Sequence, residues 1–382
     1  MADVKDVVID VAGLQSLIDL LRGDGWTVRG PMVLDGVVGQ GEIRSVDDLP
    51  RGVGDEQDAA HYRLRDRGDD ALFGYVVGPQ SAKSVLFPAS ELLRRVRTGT
   101  GSAVQPEPPA KPEPLALFGV RSCDLEAMGI QDTVLLSRSA VDVHYATRRA
   151  ATFIVAVTCS DPGGTCFCVS MGSGPDPREG FDLALTEMLD DDGHRFLVRA
   201  GSDRGAQVVE RLPSMSVTAG DRAAAASVVE SAVGRMGRYL DTDGIRDLLY
   251  DNAEHPQWDD VASRCLACTN CTLVCPTCFC TSVEDTTDLA TNTDERWRVW
   301  DSCFTSEFSH LGGGSVRATT KSRYRQWATH KLAAWWDQFG SSGCVGCGRC
   351  VTWCPAAIDI TAEVAAIRAT SLSDAVPSQP ED

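Results

Sequence analysis

Apolar residues at Leu14, Leu17, Ile18 and Leu21 recur at helical spacing, so "LQSLIDLLR" predicts a helix. With the extended "WTVRGPMVL" after it, residues 4–40 read as strand, helix, strand. "GYVVG" and "KSVLF" are short apolar runs bounded by Gly or Pro and predict strands. "SELLRRVR" predicts a helix capped by Ser90. Further on, "LALFGV", "TFIVAVT" and "RFLVRA" predict strands, with "LEAMGIQDTVLL" and "FDLALTEML" as helices between them. The alternation predicts an α/β domain, placed at 1–212. From Asp221 the pattern changes. "DRAAAASVVESAVGRMGRYL" puts Val229, Val233, Met236 and Leu240 on one helix face, and little after it reads as strand. A mainly α-helical domain is therefore expected over 213–382. "AVQPEPPAKPEP" predicts an extended surface segment, and the tail "SLSDAVPSQPED" a mobile end.

The chain has 382 residues, 43% hydrophobic and 24% charged, enough for two domains. No apolar run approaches a membrane span, and "MADVKDVVID" carries an acid where a signal peptide needs an apolar core. The expectation is a cytoplasmic protein without a membrane span. A net charge of −18 argues against nucleic acid as a partner, because phosphate neutralisation needs clustered Lys and Arg. There is no Gly-Lys-Ser/Thr phosphate loop; "GTGSAV" lacks the third glycine of a dinucleotide fingerprint, and "LGGGSVR" reads as a turn.

Fifteen cysteines change the picture. In a long chain without a secretory leader they point to metal. "CLACTNCTLVCP" places Cys265, Cys268, Cys271 and Cys275 at the bacterial ferredoxin spacing. "CVGCGRCVTWCP" repeats it with Cys344, Cys347, Cys350 and Cys354. Such runs hold 4Fe–4S clusters, and in two-cluster proteins the fourth cysteine ligates the other cube. The assignment is one cluster on Cys265, Cys268, Cys271 and Cys354, and another on Cys344, Cys347, Cys350 and Cys275. Zinc sites use two paired ligands far apart or include His, which is not this pattern. Gly346 and Gly348 free the second loop to aim N–H groups at sulfur. With Arg349, unless that side chain points to solvent, they predict a higher potential for the second cluster.

Four more cysteines fall in the first domain. Cys123 and Cys159 follow predicted strands, where α/β sites assemble, and Cys166 and Cys168 lie in the loop "DPGGTCFCVS". Together they predict a third 4Fe–4S cluster. The tetrapeptide Thr-Cys-Phe-Cys recurs at Cys278 and Cys280, on the first turns of an expected helix. There it reads as packing beside a cluster, with Cys303 a buried thiol unless it lies next to that pair. Trp297, Trp300, Trp335, Trp336 and Trp353 read as core packing, and His310 and His330 as surface or packing residues.

With "LFGVRSCDLEAMGIQD", "DPGGTCFCVSMGSGP", "RVWDSCFTSEFSHLGGGSVR" and the two runs, the chain resembles the β subunits of cytosolic NAD(P)-linked NiFe hydrogenases, the sulfhydrogenases. It is similar in kind to the corresponding iron–sulfur subunit of the anaerobic sulfite reductases. The resemblance implies a non-catalytic electron-transfer subunit. Its partners would be the NiFe hydrogenase small and large subunits together with a flavoprotein NAD(P)-binding subunit, or alternatively a sulfite reductase subunit. A flavin site of its own in the first domain, and an iron–sulfur sensor, are the competing readings. The missing phosphate-binding glycines weigh against the one and the missing basic DNA-binding element against the other.

Overall fold

The structure is a computed structural model that describes residues 6–374 apart from 77, 98–111, 138–139 and 291. Most of the proline-rich segment, all of "GTGSAV" and the tail past Asp374 lie outside the described residues.

An eight-stranded mixed sheet organises the N-terminal region, in the order 215–216, 7–10, 193–200, 183–190, 152–157, 115–120, 27–34 and 37–42. Strands 27–34, 115–120, 152–157 and 183–190 run parallel, and the others pair antiparallel around them. Thr152–Val157 is buried at every position, as a parallel strand covered on both faces must be. Phe153, Val155 and Val157 face the helix Val11–Gly23 with its Leu14, Leu17, Ile18 and Leu21. Ile154 and Ala156 face the other way, toward Leu125 and Met128 of the helix Ser122–Leu135. The alternation of strand side chains thus builds two cores from one sheet.

Several elements differ from expectation. "FDLALTEML" forms the strand Leu183–Asp190, because a strand buried on both faces reads as a continuous apolar run without period. "SELLRRVR" forms the strand Ser90–Arg97, and "KSVLF" the short helix Lys83–Leu86. The described residues of "GYVVG" form no strand. The helix Ala219–Gly234 buries Asp221, Ala225 and Ala232 rather than the valine stripe, and Val233 is exposed. Small alanines let it lie close on the sheet beside Val8, Met188 and Leu197.

The region that carries the two cysteine runs follows the sheet. Its helices Ile245–Asp251, Gln257–Arg264, Thr320–Thr329 and Ile360–Asp374 pack around Trp258, Phe304, Tyr324 and Trp327. It is less helical than expected. Thr281–Asp288 and Thr293–Trp300 form a hairpin, and the second strand also pairs with Ser90–Arg97. Most of this hairpin is polar on both faces, so no hydrophobic period announces it. A widened π-helical turn, His330–Ala334, interrupts the helix that runs on to Phe339 and turns Lys331 into the interior.

Candidate metal centres

The two cysteine runs fold alike. Ala267 and Thr269 of the first adopt positive φ (49° and 70°), and Gly346 and Gly348 of the second match them (64° and 76°). In both, this left-handed step aims a backbone N–H back at the first sulfur. Ala267 N donates to Cys265 Sγ and Gly346 N to Cys344 Sγ, each at 3.4 Å. Aiming the N–H therefore does not require glycine. The glycines answer a different constraint. A Cβ on Gly346 would stand 2.6 Å from Phe167 O, and one on Gly348 2.5 Å from Thr165 O. The first Thr-Cys-Phe-Cys copy lies directly on the second cysteine loop.

Each run's third cysteine sits in a short helix, Asn270–Leu273 or Arg349–Thr352. Cys265, Cys268, Cys271 and Cys354 line one apolar cavity, which Cys350 of the second run also lines. Cys344, Cys347 and Cys350 each feel the sulfur of Cys275. The fourth cysteine of each run thus stands with the first three of the other. Burial pushes up the thiols of Cys271, Cys344 and Cys350, Cys344 to about 12. Cys275 is held well below its usual range by the Cys278 thiol and the Lys331 ammonium. Ile358 N also points at Cys354 Sγ, at 3.4 Å. Two nests of four sulfurs with N–H groups aimed at them fit the donor set of cubane iron–sulfur clusters. Cys268 is exposed, whereas Cys347 is buried against the N-terminal region.

Cys123, Cys166 and Cys168 share one buried patch with Cys347. Cys123 lies in the first turn of Ser122–Leu135, beyond the end of strand Leu115–Val120. Cys159 follows strand Thr152–Val157 and lies within electrostatic reach of Cys166 and Cys168. The loop is held down by Phe167 N to Gly346 O (2.8 Å) and by the Thr165–Thr352 hydroxyl pair (2.7 Å). Cys166 Sγ points at Cys347 O (3.8 Å) and Cys168 Sγ at Met236 Sδ (4.0 Å). Arg121, fully buried, donates to the carbonyls of Thr158, Phe73 and Tyr75, and feels Cys159 and Cys123.

The second Thr-Cys-Phe-Cys copy stands on no helix; extended chain carries Cys278 and Cys280 into strand Thr281–Asp288. Cys303 does lie beside Cys280: both line one cavity, and the neighbouring Cys303 brings the Cys280 thiol down to about 7. Two buried lysines complete this neighbourhood. Lys331 Nζ reaches Cys275 Sγ (3.2 Å) and Thr277 Oγ1 (2.9 Å). Lys83 Nζ reaches Leu273 O (3.0 Å) and stands 4.0 Å over the Trp300 ring. Arg349 does not point to solvent. It is buried and pairs with Asp124 at 2.7 and 2.9 Å. Of the tryptophans, Trp335 is buried, Trp353 stacks on Tyr62, and Trp336 is 44% exposed. His310 is exposed and His330 is half-buried.

Lys331 carried one faint sequence signal, a lysine inside the apolar run around Trp327, Leu332 and Trp335. Lys83, Asp124 and Arg121 carried none.

Residues 264–358 match the family model of a 4Fe-4S dicluster domain. The chain is also 36% identical, over 246 residues, to sulfhydrogenase 2 subunit beta of Pyrococcus furiosus. That alignment covers 64% of this chain and 71% of that protein. The chain belongs to the sulfhydrogenase beta-subunit family. No solved structure matches it. Among the described residues of this family member, no helix is long and apolar enough to cross a membrane.

Proposed function

We propose that this chain is the iron–sulfur electron-transfer subunit of a hydrogenase complex. It would relay electrons between a flavoprotein that handles NAD(P) and the NiFe catalytic subunits. The observation that carries this reading is the convergence of two ferredoxin-type runs into two sulfur nests that exchange their fourth cysteines. When bound, the clusters supply one-electron transfer. The chain's own residues hold the sulfurs apart, aim N–H groups at them and exclude water on the side of Cys347. The likeness to a sulfhydrogenase subunit favours hydrogenase over sulfite reductase. Cys123, Cys159, Cys166 and Cys168 are proposed to hold a third cluster, extending the relay to the ends of the parallel strands.

The test is EPR of anaerobically purified chain reduced with dithionite. Two reduced 4Fe–4S signals are expected from the paired runs. Cys354→Ser should remove the signal of the cluster on Cys265, Cys268 and Cys271 and leave the other at full intensity. Loss of only the cluster on Cys344, Cys347 and Cys350 would reverse the crossed assignment.

A further inference from the structure

Two buried donors in the wall of the first sulfur nest lack a partner among the described residues. Tyr324 and Trp327 line the cavity of Cys265, Cys268, Cys271 and Cys354. They are 3% and 4% exposed, and neither Tyr324 Oη nor Trp327 Nε1 has a hydrogen-bond partner there. Three residues apart on the helix Thr320–Thr329, they share one face. The Phe304 ring packs on both, 6.2 Å from Tyr324 and 6.0 Å from Trp327, and Trp258 lies 6.2 Å from Tyr324. Trp327 also lines a neighbouring cavity, whereas Tyr324 belongs to this one. A buried donor without an acceptor is destabilising, so the Tyr324 hydroxyl calls for a reason. Glu363 is a carboxylate in whose field it lies, yet the two oxygens of Glu363 are taken by Arg264 (2.8 Å) and Gln257 (2.5 Å). Leu266, Phe304, Ile358 and Ile360 offer the hydroxyl nothing. What the cavity does offer is sulfur. The hydroxyl lies within electrostatic reach of Cys271 and Cys354 of this nest, and of Cys350 from the second run.

We propose that the Tyr324 hydroxyl donates a hydrogen bond to the sulfur of the cluster bound by the first nest, and so raises that cluster's potential. The proposal rests on the electron-relay reading, because it needs a cluster at the first run. Among the described hydrogen bonds, the sulfurs of this nest receive only backbone N–H groups, from Ala267 at Cys265 and from Ile358 at Cys354. The second nest differs in having a side-chain donor, Lys331 on Cys275. Tyr324 is the counterpart on the first. Burial holds the phenol's proton well above its usual range, so the group stays a donor. Sulfur that gains negative charge on reduction accepts more strongly, and the bond therefore favours the reduced form. A phenol is neutral where an ammonium is charged, and charge-assisted hydrogen bonds are about twice as strong. Tyr324 therefore lifts the first centre less than Lys331 lifts the second. Its effect is to narrow the step that Lys331 opens between the two centres, which eases electron passage from the second run back to the first.

The test is Tyr324→Phe, which removes the hydroxyl and keeps the ring, in anaerobic holoprotein titrated potentiometrically with EPR detection. The signal lost in Cys268→Ser identifies the first centre. In Tyr324→Phe the reduction equilibrium of that centre should fall about three- to tenfold, roughly 30–60 mV at about 59 mV per factor of ten for one electron. The second centre should move less. A first centre that titrates as in the parent, or a larger shift at the second centre, overturns the proposal. Chain made with 3-fluorotyrosine keeps the shape of the ring and makes the phenol a stronger donor. Its first centre should shift upward, and a potential that stays in place or falls overturns the proposal even if Tyr324→Phe loses its cluster. The outcomes also separate this proposal from the reading beneath it. If the parent shows both centres and the expected shifts are missing, the relay stands and the Tyr324 bond does not exist. If the parent shows no centre at the first run, both fall.

Discussion

Lys331 is a cation in a place with no carboxylate to meet it: among the described residues, its ammonium bonds only Cys275 Sγ and Thr277 Oγ1. A hydrogen bond from a charged donor is worth about 1.5–3 kcal/mol. It gains strength when the cluster accepts an electron, so the reduced form benefits more. Lys331→Met should lower the potential of the centre holding Cys275 by roughly 60–130 mV, since about 59 mV is a factor of ten for one electron. An EPR redox titration checks it, with the other centre as the internal control. Arg349, the residue the sequence offers for this role, is a weaker candidate because Asp124 neutralises it. Removing one partner of a buried pair costs about 3–5 kcal/mol, so Arg349→Gln should reveal itself in a chemical melt more than in a potential. The run of Cys344 identifies the metal, but Asp124 lies 225 residues away along the chain, and no local pattern announces such a pairing. His330 adds a pH dependence. Burial, helped by Lys331, brings its imidazole from 6.5 down to about 4. Its share of stability is complete above pH 6.5 and is lost as pH falls through about 4. His330→Gln should flatten the melting temperature across that window.

At the scale of elements, the two cysteine loops share a backbone and differ in what surrounds them. Leu266 of the first is 67% exposed, while the second lies under Thr165 and Phe167. Ala267 pays about 1–2 kcal/mol for its left-handed φ, so Ala267→Gly should hold or raise stability. Gly346→Ala meets backbone rather than open space, and should unseat the Thr165–Cys168 loop and loosen iron at the second run. Melting temperature and iron retention against a chelator distinguish the two outcomes. The contrast also explains what was legible. The ligand spacing is a covalent regularity, so both runs stand out whatever the fold around them. The helix at Leu14–Leu21 was legible because one face is buried and the other is wet. The strands at Ser90–Arg97 and Leu183–Asp190 were not, since one owes its existence to a partner about 200 positions later and the other is buried on both faces. The hairpin at 281–300 is written mostly in charged and hydroxyl residues, which carry no period.

Across the whole molecule, the sulfur sets form a gradient of exposure. The first run opens to solvent at Cys268, the second is covered at Cys347 by the first Thr-Cys-Phe-Cys copy, and Cys123, Cys166 and Cys168 are buried with Cys347. Both copies of the tetrapeptide flank the second run, one from the N-terminal region and one from the chain just past Cys275. A relay so arranged would open to a partner at the first run, and with the proposed third cluster it would end at the carboxyl ends of the parallel strands. Whether the relay has a metal at that inner end turns on Arg121. The residue is 2% exposed and its guanidinium rests on three backbone carbonyls, with no carboxylate bonded to it among the described residues. Neutral carbonyls do not balance a buried charge, and an isolated cation there is costly. Cys159 and Cys123 are the sulfurs it feels, and as thiolates on a cluster they would provide the missing negative charge. Anaerobically purified chain should therefore hold about twelve irons rather than about eight. Cys166→Ser with Cys168→Ser should bring the count down to about eight, leaving the EPR signals of the paired runs in place. An unchanged count in that double variant would mean that the four cysteines pack without metal, and that Arg121 is balanced by Glu187 through the surrounding field alone.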